Sequence, residues 1–166
     1  MAVLLISNTA ADADLLTAEG QVVDESISAT KVESMSRVAR AYYTFWSTGD
    51  PQFAEVALAA DFLDLNLPQG RPQGPRGPIV ASQHFREAIP DLSVSVEEMF
   101  IVGDRVIGRL RFKGHFTGRF NGVQGKGQAV DFSAVDIYQI KNGKISTNWH
   151  LEDNLRLLED MGVIER

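Results

Sequence analysis

The chain contains no cysteine, which excludes disulfides, thiolate metal ligands and a cysteine nucleophile. Histidine is scarce: only His84, His115 and His150 occur. They show no His/carboxylate ligand spacing, so no metal is expected. No apolar run approaches the roughly 18 residues that span a bilayer. Met1–Ile6 is too short for a signal-peptide core and has no basic start. A cytoplasmic location with no membrane partner is therefore the expectation. A basic excess is missing too, since 16 Lys and Arg stand against 22 Asp and Glu for a net charge of −6. Proteins that track phosphates normally carry a basic stripe, so nucleic acid is not an expected partner. What is present, 44% hydrophobic and 23% charged over 166 residues, is ordinary for one soluble globular domain.

Proline is sparse as well, and four of the six fall within Pro68–Pro78 (PQGRPQGPRGP). That stretch reads as a loop. Its Arg71 and Arg76 are read as solvated charges, with contact to an anionic substrate as the alternative. Residues 1–30 carry no motif and read as an N-terminal extension with little fixed structure, or an arm that packs on a partner. Residues 31–166 form the single domain. Met35, Val38, Ala39, Tyr42, Phe45 and Trp46 recur at helical spacing from Lys31 to Thr48, and Gly49-Asp50-Pro51 stops the run. A short helix over 51–59 and a strand over 61–67 follow. Pro78 suits the first turn of a helix that Pro90 terminates. Strands are predicted over 92–102, 105–115, 130–140 and 144–152, and a helix closes the chain. Helices followed by a run of strands indicate an α+β fold.

The last two strands flank Asn142-Gly143, a strong hairpin signal. With a two-residue turn Lys141 pairs with Lys144, and Asp136 shares a face with Trp149. With a three-residue turn and a bulge at Gly143, Ile140 pairs with Lys144. Asp136 then shares a face with His150, together with Phe132, Ala134, Tyr138, Ser146, Asn148 and Glu152. The bulged register sorts polar from apolar residues better and is the one expected, because a one-residue slip moves every side chain to the other face.

Several stretches then become familiar in order: Tyr42–Asp50 (YYTFWSTGD), Ala60–Asp64 (ADFLD), Gly118–Gly122 (GRFNG), Val130–Phe132, Asp136–Tyr138, Asn142–Ile145 and Trp149. From about residue 34 onward the chain resembles the SnoaL-like polyketide (ester) cyclases. The resemblance implies the cone-shaped α+β barrel of the nuclear transport factor 2-like group. In it, N-terminal helices pack on a strongly curved, mostly antiparallel sheet. It also implies a ligand pocket on the concave face, and dimers that often join convex faces. Cyclases of this family close a ring by an aldol step without metal or organic cofactor. They use an acid/base carboxylate after the tryptophan of the last strand and a histidine on the preceding strand. Here His150 follows Trp149 and Asp136 holds the preceding-strand position, so the two residue types are exchanged. The family's Gly-Thr-His stretch reads Gly114-His115-Phe116.

On the expected register Asp136 orients His150, which acts as a general base beside a carbonyl. Asn148 is placed to donate to a developing enolate oxygen. Tyr138, Tyr42, Trp46, Asn66, Phe112 and Phe132 are candidate walls for a small hydrophobic molecule. In the competing reading His150 is structural, bound to Asp136, Asp153 or the backbone. Asp153 reads as a helix N-cap and Glu152 as solvated. His115 and His84 are expected to point away from the cavity. The functional expectation is a cofactor-independent cyclase or lyase-like enzyme acting on a polyketide-like or keto-ester carbonyl compound. The alternatives are a dehydratase or isomerase, or a non-catalytic small-molecule-binding dimeric module. Val135, Ile137, Ile145 and Trp149 form an apolar convex face that a homodimer would cover.

Overall fold

A computed structural model describes residues 14–165. The elements in order are β1 (Ala18–Val23), α1 (Ala29–Thr48), α2 (Pro51–Ala57), β2 (Leu58–Asp64), α3 (Arg76–Ala88), β3 (Ser93–Val102), β4 (Arg105–Phe116), β5 (Arg119–Phe120), β6 (Val123–Gln124), β7 (Gln128–Lys141), β8 (Lys144–Glu152) and α4 (Asn154–Met161). Helix α1 starts at Ser28, whose side chain accepts from the Lys31 N–H, and ends where Gly49 turns left-handed at φ 77°. Asp50 then caps α2, with Pro51 in its first turn. The periodic residues Met35, Val38, Ala39, Tyr42 and Phe45 are all buried and meet the inward residues of the strands in one core.

The main sheet has six strands in the order β1-β3-β4-β7-β8-β2. The three central pairings are antiparallel, and the outer pairs β1/β3 and β2/β8 are parallel. The helices pack on this curved, mostly antiparallel sheet as the resemblance implies, and β1 and β2 are its unjoined edges, so the cone is open. The N-terminal stretch, read from the sequence as an extension, contributes a strand to the sheet. Its first thirteen residues lie outside the described part, but β1 is a built-in strand. Arg40 Nε and Nη2 donate to the carbonyls of Leu16 and Leu15, and the Leu16 N–H donates to Thr44 Oγ1 at 2.9 Å. Helix α1 thus supplies the partners that fix this segment against its own domain. Strand β2 ends earlier than predicted because Asp64 Oδ1 accepts from the Asn66 N–H at 2.9 Å, an Asx turn.

The β7–β8 hairpin reaches the expected facing by another route. Asn142 (φ 50°) and Gly143 (φ 69°) are both left-handed, and Lys141 pairs with Lys144, so the turn is the two-residue type I′. The extra residue sits farther along, since Ile140 pairs with Ile145 but Gln139 pairs with Thr147. Ser146 is the bulged residue, and its hydroxyl donates to the Gln139 carbonyl at 3.2 Å. Beyond the bulge Asp136 lies directly opposite His150, and both are buried. One consequence corrects the convex face: Ile145 and Ser146 both turn inward, so Ile145 belongs to the core. Val135, Ile137, Trp149 and Leu151 remain on the outer side, with Trp149 40% and Leu151 58% exposed.

Candidate active site

A cavity of about 200 Å³ opens on the inward face of β4, β7, β8 and β2, covered by α1, α3 and the loop after β2. Its apolar wall comes from Tyr42, Trp46, Phe85, Phe112 and Phe132, and its polar floor from Asp64, Asp136, Asn148, His150 and Glu152. Phe112 and Phe132 stack at 5.0 Å between ring centres, on neighbouring strands paired in register. Of the residues predicted from sequence, Asp136, His150, Asn148, Tyr42, Trp46, Phe112 and Phe132 come together here. Tyr138 and Asn66 do not line the space. Tyr138 is fully buried behind Asp136, and Asn66 is an exposed loop residue whose amide donates to the His150 carbonyl at 2.6 Å.

The His150 partners differ from those predicted. Nδ1 meets Glu152 Oε1 at 2.6 Å, and Nε2 lies 3.1 Å from each oxygen of Asp64. Asp136 does not hydrogen-bond the ring. Burial alone would discharge the imidazole, but hydrogen bonds to Asp64 and Glu152 outweigh it and push its pKa up to about 10. His150 is consequently an imidazolium near neutrality, with both N–H groups engaged. With both nitrogens engaged, the ring is placed to act through its charge. Burial also opposes charge on Asp64, and the bonds from His150 and the Asn66 N–H still hold its carboxyl below the usual value. The acids contact opposite sides of one ring, and among the described residues no His, Asp or Glu group is arranged to hold a metal ion.

Asp136 is the acid whose affinity for protons is tuned toward neutrality. Its burial raises the pKa to about 6, against the opposing effects of the Tyr138 hydroxyl, which donates to Oδ2 at 2.6 Å, and of the His150 charge. Gly108 lies opposite on β4, and a side chain there would strike the Tyr43 hydroxyl. The missing Cβ admits Tyr43 beside Tyr138, at 5.6 Å between rings. The Asn148 amide favours the ionised Asp136, leaving its own Oδ1 buried and unpartnered. Asn148 thus brings an unpartnered acceptor to the floor of the cavity.

Asp64 and Glu152 are the residues that sequence reasoning missed as partners of His150. Asp64 lies 86 positions away, and only the parallel pairing of β2 with β8, Asp64 beside Asn148, brings it in. Glu152 had a legible signal, being two residues along the same strand and on the same face. Asp153 does cap α4, accepting from the Arg156 N–H at 3.0 Å. His115 is exposed, with Nδ1 2.6 Å from Asp91. His84 is also exposed and lines a separate outer hollow.

Comparison with known proteins fits this architecture. The sequence profile of the SnoaL-like polyketide cyclases matches residues 36–161. A proposed polyketide cyclase from Bacillus cereus ATCC 10987 is 35% identical, with 92% of this chain and 96% of that one covered at a TM-score of 0.84. TsrD from Streptomyces laurentii is 21% identical over 83% and 99% of the two chains, TM-score 0.71. IdmH from Streptomyces antibioticus, also a proposed polyketide cyclase, is 22% identical over 77% and 98%, TM-score 0.70. At those lower identities the likeness speaks for the fold. No curated protein matches the chain. With its profile match spanning most of the sequence, the chain belongs to the SnoaL-like polyketide cyclase family.

Proposed function

We propose that the protein is a cofactor-independent cyclase that closes a ring in a hydrophobic carbonyl compound, with Asp136 as the acid/base group. The observation that carries this reading is a buried carboxyl with a pKa of about 6 at the floor of an aromatic-walled cavity, beside a fixed imidazolium. Above that pH the Asp136 carboxylate takes the proton from carbon next to a carbonyl, and the C–H electron pair becomes an enolate. The enolate carbon attacks a second carbonyl carbon of the same molecule, forming the C–C bond. The new alkoxide recovers the proton from Asp136. His150 stabilises the negative charge through its field, since Asp64 and Glu152 occupy its donors.

Deuterium incorporation from D₂O next to the carbonyl of 2-tetralone, a bicyclic ketone, tests the first step by NMR. The wild type is expected to accelerate exchange. Asp136→Asn is expected to lose about 10²–10⁴-fold, the range for a positioned acid/base group. Full exchange activity in that variant would sink the reading. The same proton transfer without ring closure would make the protein an isomerase, which a product assay on an open-chain diketone separates. We also propose a homodimer joined through the convex face, where Val135, Trp149 and Leu151 leave exposed apolar surface beside Leu63 of β2.

A further inference from the structure

The inner cavity is not the whole space open to a ligand. A second hollow, of about 480 Å³, lies between α3, the β5–β6 hairpin and α4. Pro68, Arg71 and Phe85 line both spaces and so mark their junction.

Arg71 is held there by its loop. The Gln73 side chain clamps the Asp64 backbone at both ends: Oε1 accepts from the Asp64 N–H at 2.8 Å, and Nε2 donates to its carbonyl at 3.0 Å. The Arg71 N–H closes a turn onto the Pro68 carbonyl at 3.1 Å. Its guanidinium, by contrast, has no hydrogen-bond or ion-pair partner among the described residues. Asp64 feels the Arg71 charge but is already committed, turning both oxygens to His150 and one of them also to the Asn66 N–H. Apart from His150, Arg71 is the only cationic side chain among those lining the inner cavity. The outer hollow is mixed in charge, with Arg119 against Glu87. An unpaired planar fork of donors at the neck of an aromatic cavity matches a carboxylate on the ligand.

We propose that the substrate is an elongated aromatic or polycyclic carbonyl compound bearing a free carboxylate, which Arg71 holds at the junction of the two chambers. This rests on the acid/base reading of the site and narrows its substrate class from hydrophobic carbonyl compounds to carboxylic acids among them. The carbonyl portion lies inward beside Asp136 and the remainder extends into the outer hollow.

Calorimetric titration with 2-naphthoate and its methyl ester tests the assignment, as the pair differs in charge while sharing one ring system. The wild type is expected to bind the acid more tightly than the ester. Arg71→Ala should weaken naphthoate by about tenfold or more, in keeping with loss of a hydrogen bond to a charged group. The same change should leave the ester within about twofold. Arg76→Ala is the control, since Arg76 is exposed and lines neither chamber, and it should bind both ligands as the wild type does. Three results would overturn the proposal: no preference for the acid, equal losses in the two arginine variants, or no binding of either ligand to the wild type. Failure of the acid/base reading would appear separately, as retained 2-tetralone exchange in Asp136→Asn, and would leave the naphthoate preference unaltered.

Discussion

Both faces of the β7–β8 hairpin depart from the usual order of a half-buried sheet: polar residues interrupt a buried apolar row that includes Phe132, Tyr138 and Ile145, and apolar residues lie exposed on the other side. Asp136, Asn148 and His150 are buried on the concave side, while Val135, Trp149 and Leu151 are exposed on the convex side. Antiparallel sheets commonly turn apolar residues inward and polar residues out. An inward row of ionisable groups sacrifices stability for a place where charge is felt strongly, because burial weakens screening. On the proposed reading, the concave row serves the chemistry and the convex row is the face a second copy would cover. The sharpest way to break that contrast is Asp136→Asn, for which a rate loss of about 10²–10⁴-fold in the exchange assay is expected. A loss of less than tenfold would make the polar row structural.

The His150 cluster should respond next most strongly. His150→Ala leaves two carboxylates, on Asp64 and Glu152, without their shared cation. Breaking a buried ion pair from one side costs about 3–5 kcal/mol, and urea unfolding should show a loss of that size. The pH dependence follows from the signs of the shifts. His150 is raised from 6.5 to about 10, so its stabilisation is fully present below about 6.5 and is lost as pH rises through about 10. Exchange activity should rise through about pH 6 as Asp136 ionises, hold a plateau, then fall near pH 10 as His150 discharges. Asp64→Asn removes one of the two bonds that favour the cation, so it should move the alkaline limb to lower pH. An unmoved limb would detach that limb from His150.

Asp136 works in the opposite sense. Its folded-state pKa is raised from 3.8 to about 6, so the unfolded chain releases the proton first and stability falls across that window. At neutral pH the penalty is at most about 3 kcal/mol, taking 1.36 kcal/mol per pH unit. Asp136→Asn should therefore raise the urea midpoint at pH 7.5 while abolishing exchange. At pH 3.5, where the wild-type carboxyl is protonated, the gain should shrink. A variant less stable than the wild type at both pH values would mean that the Tyr138 hydrogen bond matters more than the charge.

Much of the architecture was legible because hydrophobic spacing and stop signals act locally. The buried row on α1, the Asp50-Pro51 start of α2 and the Asn142-Gly143 turn follow from residues within a few positions of one another. Alternation along β7 and β8 also fixed which side chains share the cavity, because any even shift of register keeps the faces. The bulge position was not legible: Ser146 carries no conformational signature comparable to Gly143, and its role is set by the Gln139 carbonyl across the strand. The partners of His150 were only half legible. Glu152 lies on its own strand, whereas Asp64 arrives through a parallel pairing that no local pattern announces. β1 was hidden for the same reason, since it joins the sheet through a parallel pairing with β3.

The convex row carries the smallest expected effect on the folded chain and the clearest on its assembly. Leu151 is 58% exposed, so Leu151→Glu removes little buried area within one protomer. Surface changes of this kind usually fall within about 0.5 kcal/mol, and exchange activity should also stay close to wild type, because Leu151 points away from the cavity. In a two-fold interface the same residue is presented by both copies, so one substitution places two carboxylates in an apolar patch formed with Val135 and Trp149. Each must then be desolvated or expelled. Sedimentation velocity at micromolar concentration should show a wild-type dimer and a Leu151→Glu monomer. A monomeric wild type would mean that Trp149 and its neighbours tolerate water, and the proposed two-fold cover of the convex face would be lost.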